Sequence, residues 1–147
     1  MSWLARGIVV AVLGSLVGCA PGLEDATEEE PRFAAWELWL EVPERPVAAW
    51  QVEVSVHDAT VVGIEGGETD GFHDPPLYDP AALVEERLAL AAFSTTAVLD
   101  TGAHRIATLH LRQTGEPRFG LALVAAASAD GERVEAHVHL EETPDEP

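Results

Sequence analysis

The chain has 147 residues, with 26 aspartates and glutamates against 8 arginines, no lysine, and a formal net charge of −18. So acidic a surface repels nucleic acid and anionic lipid, because phosphate binding needs clustered Lys or Arg, and nucleic-acid binding is excluded. With a single cysteine there is no internal disulfide, so apolar burial must supply stability, and about a hundred ordered residues fit one domain.

Arg6 precedes a short apolar run from Gly7 to Gly18, and small residues surround the end of that run. Residues 1–18 thus have the layout of a secretory signal peptide: charged start, short apolar middle, small-residue break. A transmembrane helix needs about 20 apolar residues. This run falls short, and Pro21 stands just after it. It ends in Leu16-Val17-Gly18-Cys19, and Cys19 is the only cysteine. That ending resembles the lipobox of bacterial lipoproteins, which implies cleavage before Cys19 and a diacylglycerol on its thiol. Anchoring by more than one acyl chain is effectively stable, at about 0.8 kcal/mol per buried methylene. Ala20 after the cysteine, rather than Asp, resembles lipoproteins sorted to an outer membrane. The expected address is a bacterial envelope, lipid-anchored at the outer membrane, in the periplasm or at the cell surface.

Residues 19–32 are acidic and Pro/Gly-flanked, with Glu28-Glu29-Glu30-Pro31 near their end, and they read as a disordered tether. The folded domain is expected over residues 33–141, and Glu142 to Pro147 reads as a frayed tail. Within the domain, apolar and polar residues alternate with period two, the mark of half-buried strands. Trp36, Leu38, Leu40 and Val42 share one face, with Glu37 and Glu41 on the other. Trp50, Val52, Val54 and Val56 repeat the pattern, with Gln51, Glu53, Ser55 and His57 turned outward. Val62 and Ile64 form a short strand closed by Gly66-Gly67. Asp79-Pro80 is a helix start, with Asp as N-cap and Pro at the first helical position. Ala81, Val84, Leu88 and Ala91 fall on one helical face, but a sheet needs Leu88 to Phe93. The expectation is a short helix over 80–86 and a strand over 88–93. Ala107, Leu109 and Leu111 alternate next, then Phe119, Leu121 and Leu123. Asp130-Gly131 is a hairpin turn leading into Val134, Ala136, Val138 and Leu140. Seven such segments argue for an all-β fold, a β-sandwich with one short helix.

The stretch Ala49-Trp50-Gln51-Val52-Glu53-Val54-Ser55-Val56-His57-Asp58, followed by Val61-Val62-Gly63-Ile64-Glu65-Gly66-Gly67, resembles the opening of cohesin-type domains. Arg87 to Ser94 is similar to the family's central strand, Gly102 to Leu111 to the glycine-led strand after it, and Ala126 to Leu140 to the closing hairpin. The resemblance implies a nine-stranded jelly-roll sandwich related to carbohydrate-binding modules. The best-known members of that family bind dockerin modules in polysaccharide-degrading assemblies, and the dockerin holds the calcium. This sequence has no dockerin-type calcium loop, so the resemblance implies the receptor side. Two departures stand out. His57-Asp58-Ala59 replaces the family's Tyr-Asp-Pro, and Gly71 to Pro80 reads as an insertion.

Glu68, Asp70, His73, Asp74 and Asp79 crowd into the twelve residues from Glu68 to Asp79, with Phe72 and Tyr78 as apolar pins. Oxygen-rich clusters suit calcium and a His beside carboxylates suits zinc. The Asp-x-Asp-x-Asp-Gly spacing is missing, however, and the prolines favour a rigid loop packed on the domain. His137-Val138-His139 points two imidazoles to one face, as some zinc enzymes do. Between Glu135 and Glu141 these histidines fit better as cross-strand surface partners, so no metal or other cofactor is expected. Trp39 lies opposite Trp36 and Leu38 and should face outward, where it could stack on a sugar or anchor a protein. No Gly-x-Ser-x-Gly or comparable nucleophile context is present. The expected function is a non-catalytic, lipid-anchored envelope binding or scaffold module recognising a protein partner. Its candidate binding residues are Trp39, Phe72, His73, Asp74 and Tyr78. Polysaccharide binding is the runner-up, and a metal-dependent enzyme ranks last.

Overall fold

A computed structural model describes residues 30–144 of the chain. The signal peptide, Cys19 and most of the tether lie outside the described residues. The fold is all-β: β1 (Arg32–Val42), β2 (Ala49–Glu65), β3 (Arg87–Phe93), β4 (Gly102–Ala127) and β5 (His137–Glu142) form one antiparallel sheet in the order β3-β2-β4-β1-β5. Among the described residues, no helix is long and apolar enough to cross a membrane.

The seven expected segments become five strands because two breaks in the pattern are bends, not turns. In β2, Asp58 adopts φ 63°, a left-handed conformation that Asp tolerates better than most residues. Opposite it, the register jumps from His57↔Arg118 to Ala59↔Gln113, so residues 114–117 of β4 bulge out. A bulge adds twist and bends a strand without ending it. The Asp58 carboxylate accepts from Nε of Arg118 at 2.9 Å, which ties the two bent strands together. β2 and β4 therefore run on for 17 and 26 residues.

The bend folds the sheet onto itself. Trp36 on β1 and Phe119 in the C-terminal half of β4 are not sheet neighbours, yet their ring centroids are 4.7 Å apart. One core lies between the two halves, with Leu38 and Leu40 of β1, Val52 and Val54 of β2, Leu90 of β3, and Leu109 and Leu111 of β4 all fully buried. Each such side chain contributes roughly 1.5–3 kcal/mol.

Local expectations hold unevenly. Asp79 caps as expected, its Oδ1 accepting from Ala81 N at 2.9 Å, but the helix is a 3₁₀ turn over Pro80–Val84. The chain is needed as β3 from Arg87, which leaves too few residues for α-helical bonding. Val62 does not face the core; it is 50% exposed, whereas Val61 and Ile64 are buried. A second bulge, between Val61↔Leu111 and Gly63↔His110, expels it. The Asp130-Gly131 turn forms, with Gly131 N donating to Ser128 O at 2.9 Å and Gly131 at φ 83°. The hairpin is brief. After the Ala127↔Arg133 bridge the chain crosses to pair β5 with β1. Glu142 belongs to β5 and Thr143 N donates to Ala35 O, so the sheet reaches further than the expected domain end at residue 141.

Candidate functional site

The outer surface of β4, β1 and β5 follows from alternation plus one irregularity. Burying Leu38, Leu40 and Val42 turns Glu37, Trp39 and Glu41 outward. On β4, strict alternation from Leu109 and Ala107 would send Arg105 inward. A bulge places Leu38 opposite Ala107 but Trp39 opposite Arg105, with Ile106 as the extra, buried residue. Arg105 thus joins the outer face. On the other side, Trp39 faces His139 and Glu41 faces His137.

Trp39 is half-buried at the centre of this face. Its Nε1–H donates to Glu37 Oε2 at 3.2 Å, and its ring lies 8° from parallel to His139 at 6.5 Å between centroids. Arg105 pairs with Glu37 at 3.2 Å. His139 is flanked by Glu141 at 3.1 Å from Nε2 and Glu41 at 3.9 Å from Nδ1. His110 lies 3.4 Å from Glu65 further along the same face. The result is an open, acidic platform around one indole. Sequence reasoning placed Trp39 outward but missed Arg105, whose position depends on a bulge that no local motif announces.

The insertion is built differently. Gly67 N donates to Phe72 O at 2.8 Å and Phe72 N to Thr69 O at 2.9 Å, closing a turn in which Gly71 has φ 85°. Phe72 is buried, out of reach of a ligand, and the half-buried Tyr78 packs on the core, so both pin the loop as expected. Leu77 exchanges backbone hydrogen bonds with Ala91, covering part of the β3 edge. His73 Nε2 lies 2.9 Å from Asp70 Oδ1 and Nδ1 lies 3.2 Å from Gly67 O. Both partners are acceptors, so both bonds form only when the imidazole carries two protons. The Asp70 carboxylate first, then the Gly67 carbonyl, raise the His73 pKa above its usual value. Asp74 is exposed beside it. Asp79 is occupied as a cap. No hydrogen bond, ion pair or ring contact among the described residues brings Trp39 together with Phe72, His73, Asp74 or Tyr78. Nor do any three His, Cys, Asp or Glu side chains among the described residues converge as metal ligands.

The outer surface of β3, β2 and β4 carries mostly small residues, with Ala89, Gly120, Ala122 and Ala125 around the Glu53–Arg87 ion pair and Phe93 exposed at one end. A shallow depression of about 570 Å³ at its end is lined by Ala48, Phe93, Ser94, Ala97, Ala127 and Ser128. Ser94 Oγ already accepts from Ala97 N at 3.0 Å, and Ser128 Oγ donates to Asp130. Few polar atoms are left there to orient a ligand. In comparisons with known proteins, no family model, curated protein or solved structure matches the chain.

Proposed function

We propose that this chain is a lipid-anchored binding module of the bacterial envelope, of cohesin-like type and non-catalytic, that recognises a protein through the outer face of β4, β1 and β5. Cys19 carries the lipid in this reading, and the acidic stretch up to Pro31 spaces the sheet from the membrane. The observation that carries it is Trp39, half-exposed at the centre of an open three-strand face with its N–H already bonded to Glu37. Trp and Arg are the residues on which protein interfaces concentrate their binding energy, and Trp39 and Arg105 stand side by side here. The face across β3, β2 and β4 has no Trp: small side chains surround the Glu53–Arg87 ion pair, with Phe93 exposed at one end. Polysaccharide binding draws less support, because long saccharides are held by several platforms and Trp39 has no second indole beside it among the described residues.

The test uses the full chain in non-ionic detergent, immobilised and exposed to envelope extract, with captured proteins identified by cross-linking. A specific partner should be held by the wild type and lose about 30-fold in affinity with Trp39→Ala, the loss of a central aromatic anchor. Retention of insoluble polysaccharide with no cross-linked protein would sink the proposal.

A further inference from the structure

We propose that the Trp39 face takes a basic polypeptide segment, with an arginine or lysine side chain laid over the indole between carboxylates. This rests on the reading that the face recognises a protein, and it names the chemistry of the partner. Four carboxylates, Glu37, Glu41, Glu65 and Glu141, share the face with two guanidiniums, Arg105 beside Trp39 and Arg112 further along β4. Glu37 already neutralises Arg105 at 3.2 Å. Glu41 and Glu141 are 56% and 61% exposed, and no arginine among the described residues pairs with either.

Their placement relative to the ring is the second half of the argument. Along the strands, Glu37 beside Glu141 lies to one side of the Trp39–His139 pair, and Glu41 lies to the other. Two residues of strand span roughly 7 Å, so carboxylates bracket the indole at both ends. The indole N–H is occupied by Glu37, which leaves the electron-rich ring face as what Trp39 presents. Trp is the best aromatic partner for a cation, and a guanidinium also stacks on it through its own plane. A cation over this ring meets the negative ring face and a carboxylate on either side. The net charge of the whole chain, −18 with no lysine, adds attraction at longer range and speeds encounter. A neutral saccharide would use the ring and none of the charge.

The test titrates the full chain, in non-ionic detergent, with a short oligoarginine peptide and with the same peptide built from uncharged citrulline. Binding is read from the Trp39 indole N–H resonance, identified by its loss in Trp39→Phe. The arginine peptide should shift that resonance, and citrulline should leave it unmoved. Glu41→Gln combined with Glu141→Gln should weaken binding about tenfold at low salt. Glu85→Gln combined with Glu116→Gln, which removes equal charge from exposed positions elsewhere, should weaken it less than twofold. Equal losses in the two double variants would mean diffuse attraction and overturn the inference, leaving recognition by the face intact. A citrulline peptide that binds as well as arginine would do the same. An oligosaccharide that shifts the resonance while the arginine peptide does not would overturn both.

Discussion

Val61 and Val62 sit side by side in sequence and on opposite sides of the sheet, which makes them a sensitive probe of the bulges that shape this fold. Val61 is 5% exposed and belongs to the core, whereas Val62 is 50% exposed. Val→Ala removes two methyl groups. At about 0.8 kcal/mol per buried carbon plus a cavity contribution, Val61→Ala should cost about 2 kcal/mol. Val62→Ala should cost less than about 0.5 kcal/mol, as surface substitutions usually do. The contrast sharpens with a charge: Val61→Asp buries an unpaired carboxylate and should cost more than about 3 kcal/mol, while Val62→Asp should be tolerated. Urea unfolding of the full chain, carrying Cys19→Ser throughout, can be followed by tryptophan fluorescence, because Trp36 and Trp50 pack in the core. Strict alternation from Ile64 gives the opposite order. If Val62 proved the costlier position, the bulge between Val61 and Gly63 and the bent sheet built on it would be wrong.

His73 carries a pH dependence whose sign follows from its raised pKa. Its contribution to loop stability is complete below the unfolded value near 6.5 and is lost as pH rises through the higher folded value. An NMR titration of the ring should show a midpoint above 6.5, and Asp70→Asn should lower it; an unmoved midpoint would refute the pairing. Gly66→Ala should loosen the insertion, since an added Cβ would lie 2.0 Å from the carbonyl oxygen of His73 and 2.4 Å from that of Asp74. Gly115→Ala, with nothing nearby, is the comparison, and hydrogen exchange at the Phe72 amide reads the difference. Asp58→Val should destabilise by about 1–2 kcal/mol, because a β-branched residue resists the left-handed conformation at the bend. A thermal melt unchanged from wild type would refute that role for Asp58.

Much of the fold was legible because each strand carries its own alternation. Leu38, Leu40, Val52, Val54, Leu109 and Leu111 are buried where the pattern puts them. The insertion was legible as a packed loop, since Phe72 and Tyr78 had no polar periodicity to serve and Asp79-Pro80 announced a cap. Val47 and Leu99 were not legible: both are fully buried outside any strand, paired only with each other through a two-hydrogen-bond bridge. Arg105 was hidden for a related reason. One bulged residue reverses every face assignment beyond it, and Ile106 looks like any other strand residue.

Sequence by itself determined the all-β class, the positions of most core side chains, the Asp79 cap and the outward face of Trp39. These depend on period two and on single-residue backbone preferences, both of which are local. Tertiary structure alone decided that the two apparent turns are bends within long strands, that β5 leaves its hairpin to pair with β1, and that Arg105 and His139 meet Trp39. Those outcomes rest on which distant strand supplies hydrogen-bond partners and in what register. A chain segment of a few residues carries no record of that choice.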